Sequence, residues 1–124
     1  MITRYLAVGA GGFLGAIARY ALGVWIETAW RRQFPLATFL VNLSGCFILG
    51  AFPTAAAERL DIGPLARLFV ATGFVGAYTT FSTFEYENYR LTQTGAWGWA
   101  LLNVVGSVVA GFLAVRLGVL LVRR

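Results

Sequence analysis

Histidine is missing from this 124-residue chain, lysine is missing too, and cysteine occurs once. Without histidine there is no Ser–His–Asp triad and no imidazole to hold a metal. A single Cys46, set inside an apolar run, rules out an intrachain disulfide framework and is read as a small hydrophobe. Charge is also scarce: 12% of residues are charged, where a soluble domain carries about a quarter. The five acids are Glu27, Glu58, Asp61, Glu85 and Glu87. So little charge cannot cover the large surface of a small soluble domain, which excludes disorder, acidic tails and most soluble enzymes. The shortage points to a chain solvated by lipid.

What is present is apolar. Hydrophobic residues make up 59% of the sequence, and the mean hydropathy is +0.74. Four runs stand out: Tyr5 to Ile26, Gln33 to Ala57, Leu68 to Phe84 with amphipathic character continuing toward Arg90, and Leu91 to Val122. A membrane helix needs about 20 mostly apolar residues, and hydrocarbon leaves such runs no option but helix. The fold expected is an all-α membrane protein, residues 1–124 forming one domain of four transmembrane helices. The joints are Glu27 to Arg32, the Gly-Pro-containing stretch Glu58 to Arg67, and a turn over Thr92 to Gly95. Trp25, Trp30, Phe34, Tyr86, Tyr89, Trp97 and Trp99 then share one membrane face, as an interfacial belt does. An N-terminal stretch ending in Ala16-Ile17-Ala18 mimics a cleavable leader, but apolar character resumes directly after Arg19.

The net charge of +5 comes from arginines set singly or in pairs between the runs, a pattern of membrane anchors and not of a nucleic-acid partner. Arg4, Arg59, Arg67, Arg123 and Arg124 fall on one face, against Arg31, Arg32 and Arg90 on the other. So small a bias specifies orientation poorly, and a chain that inserts either way can pair with an inverted copy of itself.

Polar residues inside the runs carry the functional signal. Gly11 and Gly15 form a small-xxx-small pair for close helix approach; as a dinucleotide fingerprint the same glycines lack a preceding strand. Arg19, one turn further along, needs a wet cavity, a partner or a helix end to snorkel from. Thr38 and Asn42 share a face of the second run, and Asn103 and Ser107 repeat that spacing in the fourth. The third run reads GFVGAYTTFSTFEYEN, from Gly73 to Asn88. Two glycines and the paired Thr79 and Thr80 are poor helix formers, so the third helix is expected to break near its middle, between Gly76 and Thr80. Phe81 and Phe84 fall on one face, flanked by Ser82 and Thr83. These groups are donors, no Asp or Glu sits in the middle of any run, and phenylalanine edges are weakly positive. A lane of this kind suits an anion. A small multidrug transporter would want a carboxylate within span one, and a non-transporting assembly subunit would not need the donors.

The segments GGFLGAIARY, VNLSGCFILG, GFVGAYTTFSTF and NVVGSVVAG resemble, in order and spacing, the bacterial fluoride channel family (Fluc, also called CrcB). The resemblance implies an antiparallel dual-topology homodimer in the inner (plasma) membrane, with two narrow fluoride pores and no enzymatic activity. It implies that Phe81 and Phe84 turn their ring edges to fluoride, that Asn42 donates to the ion, and that Ser82, Thr83 and Ser107 continue the polar route. Arg19 would stand near an aqueous vestibule. The carbonyls of Gly76 and Thr79 would bind a structural Na⁺ at the dimer centre. Hydrofluoric acid enters cells neutral and ionises inside, so a passive fluoride pore lets an inside-negative potential drive the anion out.

Overall fold

A computed structural model describes residues 1–58 and 61–124; Arg59, counted above on the terminal face, lies outside the described residues. These residues form helices, with no strand among them. Three helices are long and apolar enough to cross a membrane: α1 (Ile2–Ala29), α2 (Leu36–Glu58) and α6 (Trp97–Arg123). At 28, 23 and 27 residues they run about 34–42 Å, more than the ~30 Å of hydrocarbon in a bilayer.

The chain between α2 and α6 is helical in pieces. A short α3 (Pro64–Arg67) opens on Pro64, whose missing N–H costs nothing in a first turn. It runs into a π-helix over Leu68–Val75, then a single α-turn, α4 (Gly76–Tyr78). Thr79 (φ −82°, ψ 160°) and Thr80 (φ −151°, ψ 120°) are extended, and the helix resumes as α5 (Phe81–Gln93). Helical geometry thus persists through Tyr78, helped by the Thr79 hydroxyl, which donates to the Val75 carbonyl at 2.9 Å.

The third joint differs from the sequence expectation. Leu91 to Gln93 belong to α5, and only Thr94 to Ala96 connect it to α6. Gly95 sits at φ +75°, with its amide on the Thr92 carbonyl and that of Ala96 on the Leu91 carbonyl. That is a Schellman stop, which glycine adopts without strain.

Glycines set the packing. A Cβ on Gly11 would strike the Phe69 carbonyl oxygen, one on Gly15 that of Phe74, and one on Gly73 that of Val8, so α1 lies directly on the π-helix backbone. Likewise α6 lies on α2, with Gly50 against the Val115 carbonyl and Gly118 against that of Phe47. Lipid gives helices no hydrophobic reason to associate, so backbone-to-backbone approach supplies dispersion contacts instead. The far ends of α2 and α6 are tied by Arg123 and Glu58 at 2.9 Å, the one ion pair among the described residues. On the same face Arg67 donates to the carbonyls of Ala56 (2.7 Å) and Ile62 (3.0 Å), capping the end of α2.

Candidate functional site

The extended pair Thr79–Thr80 is held by one side chain. Asn42, on α2, accepts from the Thr80 amide through Oδ1 at 2.8 Å and donates through Nδ2 to the Thr80 carbonyl at 3.0 Å. A carboxamide has the shape of a peptide, so it pairs with an exposed backbone unit as a neighbouring strand would. One Nδ2 hydrogen remains for another acceptor. Gly45, one turn along α2, gives Thr79 room, since a Cβ there would strike the Thr79 methyl. The Thr80 hydroxyl caps α5 by accepting from the Thr83 amide at 3.3 Å, and it donates to the Thr83 hydroxyl at 3.0 Å. Thr83 keeps its own hydroxyl proton.

These bonds bear on the carbonyls named for sodium. In an uninterrupted helix the Thr80 amide would serve the Gly76 carbonyl, and the Thr83 amide that of Thr79. Here the first is engaged by Asn42 and the second by the Thr80 side chain. Both carbonyls lose their helical donors, and space beside Gly76 is open. Carbonyl oxygens freed in this way are the donor type that replaces the hydration shell of an alkali cation. The residues present fit Na⁺.

Next to the break lies a cavity of about 300 Å³, lined among others by Arg19, Glu27, Thr38, Thr80, Thr83 and Glu87. Arg19 therefore faces a hollow in which these polar groups mix with apolar ones such as Val24 and Val41, and it makes no ion pair within 4 Å among the described residues. The donor-only lane expected above needs correction here. Glu87 is part-buried in this cavity, where its Oε1 accepts from the Thr38 hydroxyl at 2.7 Å and its Oε2 meets no donor. Glu87 lies on α5 one turn after Thr83, a relation hidden while that part of the chain is read as an amphipathic fringe at the membrane face.

Phe81 and Phe84 stack obliquely, with centroids 5.9 Å apart and planes at 37°. Their environments differ: Phe84 is 7% exposed, whereas Phe81 is 74% exposed and turns outward beside the exposed Ser82. Ser107 stands in a separate polar cluster between α5 and α6. Its hydroxyl donates to Asn103 Oδ1 at 3.2 Å, and Asn103 Nδ2 donates to Asn88 Oδ1 at 2.8 Å. Asn88 Nδ2 is buried without an acceptor, a condition that costs about 1–3 kcal/mol. One chain thus brings Asn42, Thr83 and Arg19 to the break and its cavity, and sets Phe84 one turn from the Asn88–Asn103–Ser107 cluster. It leaves Phe81 and Ser82 on an open face. Sequence reasoning does not single out Asn88 and Glu87; their spacing of four and three from Phe84 is the available signal.

Residues 6–119 match the family described as CrcB-like protein, Camphor Resistance (CrcB). The chain is 48% identical to the fluoride-specific ion channel FluC of Acidobacterium capsulatum, over 98% of this chain and 97% of that one. It is 46% identical to FluC of Solibacter usitatus, over 98% and 99%, and 44% identical to FluC 1 of Moorella thermoacetica, over 99% and 86%.

Proposed function

The chain belongs to the CrcB-like family, and on that footing we propose that it is a fluoride-selective, passive channel that lets fluoride leave the cytoplasm. It is a multi-pass membrane protein and not an enzyme. In this reading the helical pieces from Pro64 to Gln93 form the third of four crossings, broken at Thr79–Thr80, in a bacterial inner membrane. The observation that carries it is the interrupted helix clamped by Asn42 beside a cavity containing Arg19 and the Thr83 hydroxyl, with the phenylalanine pair one turn away.

The outward exposure of Phe81 and Ser82 supports assembly with a second, inverted copy. A hydroxyl such as that of Ser82 finds no hydrogen-bond partner in lipid, and two such faces pressed together would close a lane on each side, giving two pores. Fluoride is small and strongly hydrated, so it enters only where donors replace water at close range. Arg19 concentrates anions at the cavity mouth, the free Asn42 N–H and the Thr83 hydroxyl accept the ion at the break, and the ring edges of Phe81 and Phe84 carry it past the apolar stretch. Glu87 opposes Arg19 and limits how tightly the cavity holds an anion, which favours release over capture. The carbonyls of Gly76 and Thr79, with those of the second copy, would hold Na⁺; when bound, the ion supplies a fixed positive charge that pins the two breaks together.

Efflux from liposomes holding the purified protein tests this reading. Fluoride should leave far faster than chloride. Phe81→Ile and Asn42→Ala should each slow fluoride by about tenfold or more, a barrier increase of ~1.4 kcal/mol, while the dimer stays folded. Undiminished flux in both variants would refute the assigned lining, and no fluoride flux from the parent protein would refute the channel.

A further inference from the structure

Asn103 is 1% exposed and Asn88 6%, so the two carboxamides form the driest polar cluster among the described residues. Their hydrogen bonds do not use the available protons well. Asn88 Nδ2 carries two hydrogens and meets no acceptor, while the single proton of Ser107 is spent on Asn103 Oδ1 at 3.2 Å. In that arrangement Ser107 offers an anion only lone pairs.

Turning both carboxamides by half a rotation exchanges oxygen for nitrogen, atoms of nearly equal size, and preserves both contacts. Asn88 then donates to Asn103 Oδ1, Asn103 donates to Ser107 Oγ, and the Ser107 proton is released. The turned state gives the idle Asn88 amide a partner and leaves the Asn88 carbonyl oxygen without a donor, so the two orientations make the same number of hydrogen bonds and neither locks the other out. We propose that Asn88 and Asn103 form a carboxamide relay whose orientation decides whether Ser107 presents its proton to the passing anion. Asn88 is a positioning residue, acting on the lane through Asn103. It lies one turn from Phe84 on the buried face of α5. The inference rests on the fluoride-channel reading for its cargo and on the chain's own hydrogen bonds for its mechanism.

Substitutions at Asn88 separate the relay from a packing role. In Asn88→Asp the carboxylate only accepts, so Asn103 Nδ2 must stay turned toward it and Asn103 Oδ1 must keep the Ser107 proton. In Asn88→Ala the constraint is gone and Asn103 is free to donate to Ser107. The relay therefore requires the isosteric change to be the worse one: fluoride efflux about tenfold down in N88D, and within roughly threefold of the parent in N88A. A packing role requires the opposite order. Ser107→Ala should slow the parent channel yet add nothing to N88D; losses that simply multiply would show charge repulsion by the introduced carboxylate and overturn the relay. If N88D does not assemble, N88A decides alone: an intact dimer whose flux has collapsed overturns the proposal, and one that conducts supports it. Absent fluoride flux from the parent protein would instead defeat the channel reading itself.

Discussion

Individual glycines in this chain do opposite things, and their surroundings say which. At Gly15 a Cβ would meet the Phe74 carbonyl, which cannot yield without moving the π-helix, whereas at Gly23, two turns along the same helix, nothing stands within 4 Å. Gly15→Ala is expected to destabilise by about 1–3 kcal/mol through overpacking. Gly23→Ala is expected to stabilise by up to ~1 kcal/mol, because alanine is the better helix former. Thermal unfolding of the two purified variants in one detergent checks this, and equal melting temperatures would contradict it. From sequence alone the Gly11–Gly15 spacing identifies a close-contact pair, but Gly50, Gly73 and Gly118 do comparable work without a second glycine four residues away. Their role depends on what lies opposite, which a single helix's pattern does not contain.

Elements show where pattern reading succeeds and where it fails. The long apolar runs mark α1, α2 and α6 plainly, since that signal acts within each helix. The π-helix over Leu68–Val75 leaves no such trace in its own pattern, and the α1 backbone that packs against it lies far away in sequence. A wider turn rotates every later side chain relative to a 3.6-residue projection. The extended Thr79–Thr80 pair then resets the phase of α5, so a projection carried through from the third run does not place Glu87 in the cavity or Asn88 beside Asn103. The clamp on the break is also an element-scale device. Asn42→Asp keeps an acceptor for the Thr80 amide and loses the donor to its carbonyl, whereas Asn42→Leu loses both. Protection of the Thr80 amide from hydrogen exchange should therefore survive in the first and fall by about tenfold or more in the second. Equal protection in both would mean that Asn42 does not hold the break.

At the scale of the molecule, the proposed channel needs more than one chain. Phe81 and Ser82 look outward, and two carbonyls at the break lack their helical donors. Both deficits end if an inverted copy and a cation meet there. Exchanging Na⁺ for a bulky organic cation is then expected to lower the dimer's melting temperature and silence fluoride flux together, and indifference of both would remove the central cation from the account. This incompleteness is only partly legible in the sequence: a small arginine bias suggests insertion both ways, but which ring faces outward depends on how α5 packs on α6.

The π-helix has one more consequence, for length. A widened turn holds a residue more than the α-turn it replaces, so the stretch from Leu68 to Val75 contains slack that the other helices do not. Removing a single residue there would tighten the coil but carry the Phe69 and Phe74 carbonyls off Gly11 and Gly15, so the slack is held in place by the contact with α1. The same excision in α2 or α6 would swing every following side chain by about 100° and misalign the glycine contacts. Insertions and deletions among related chains should therefore be as rare in this short stretch as in α2 and α6, its spare residue being committed to the seat of α1 and not to length.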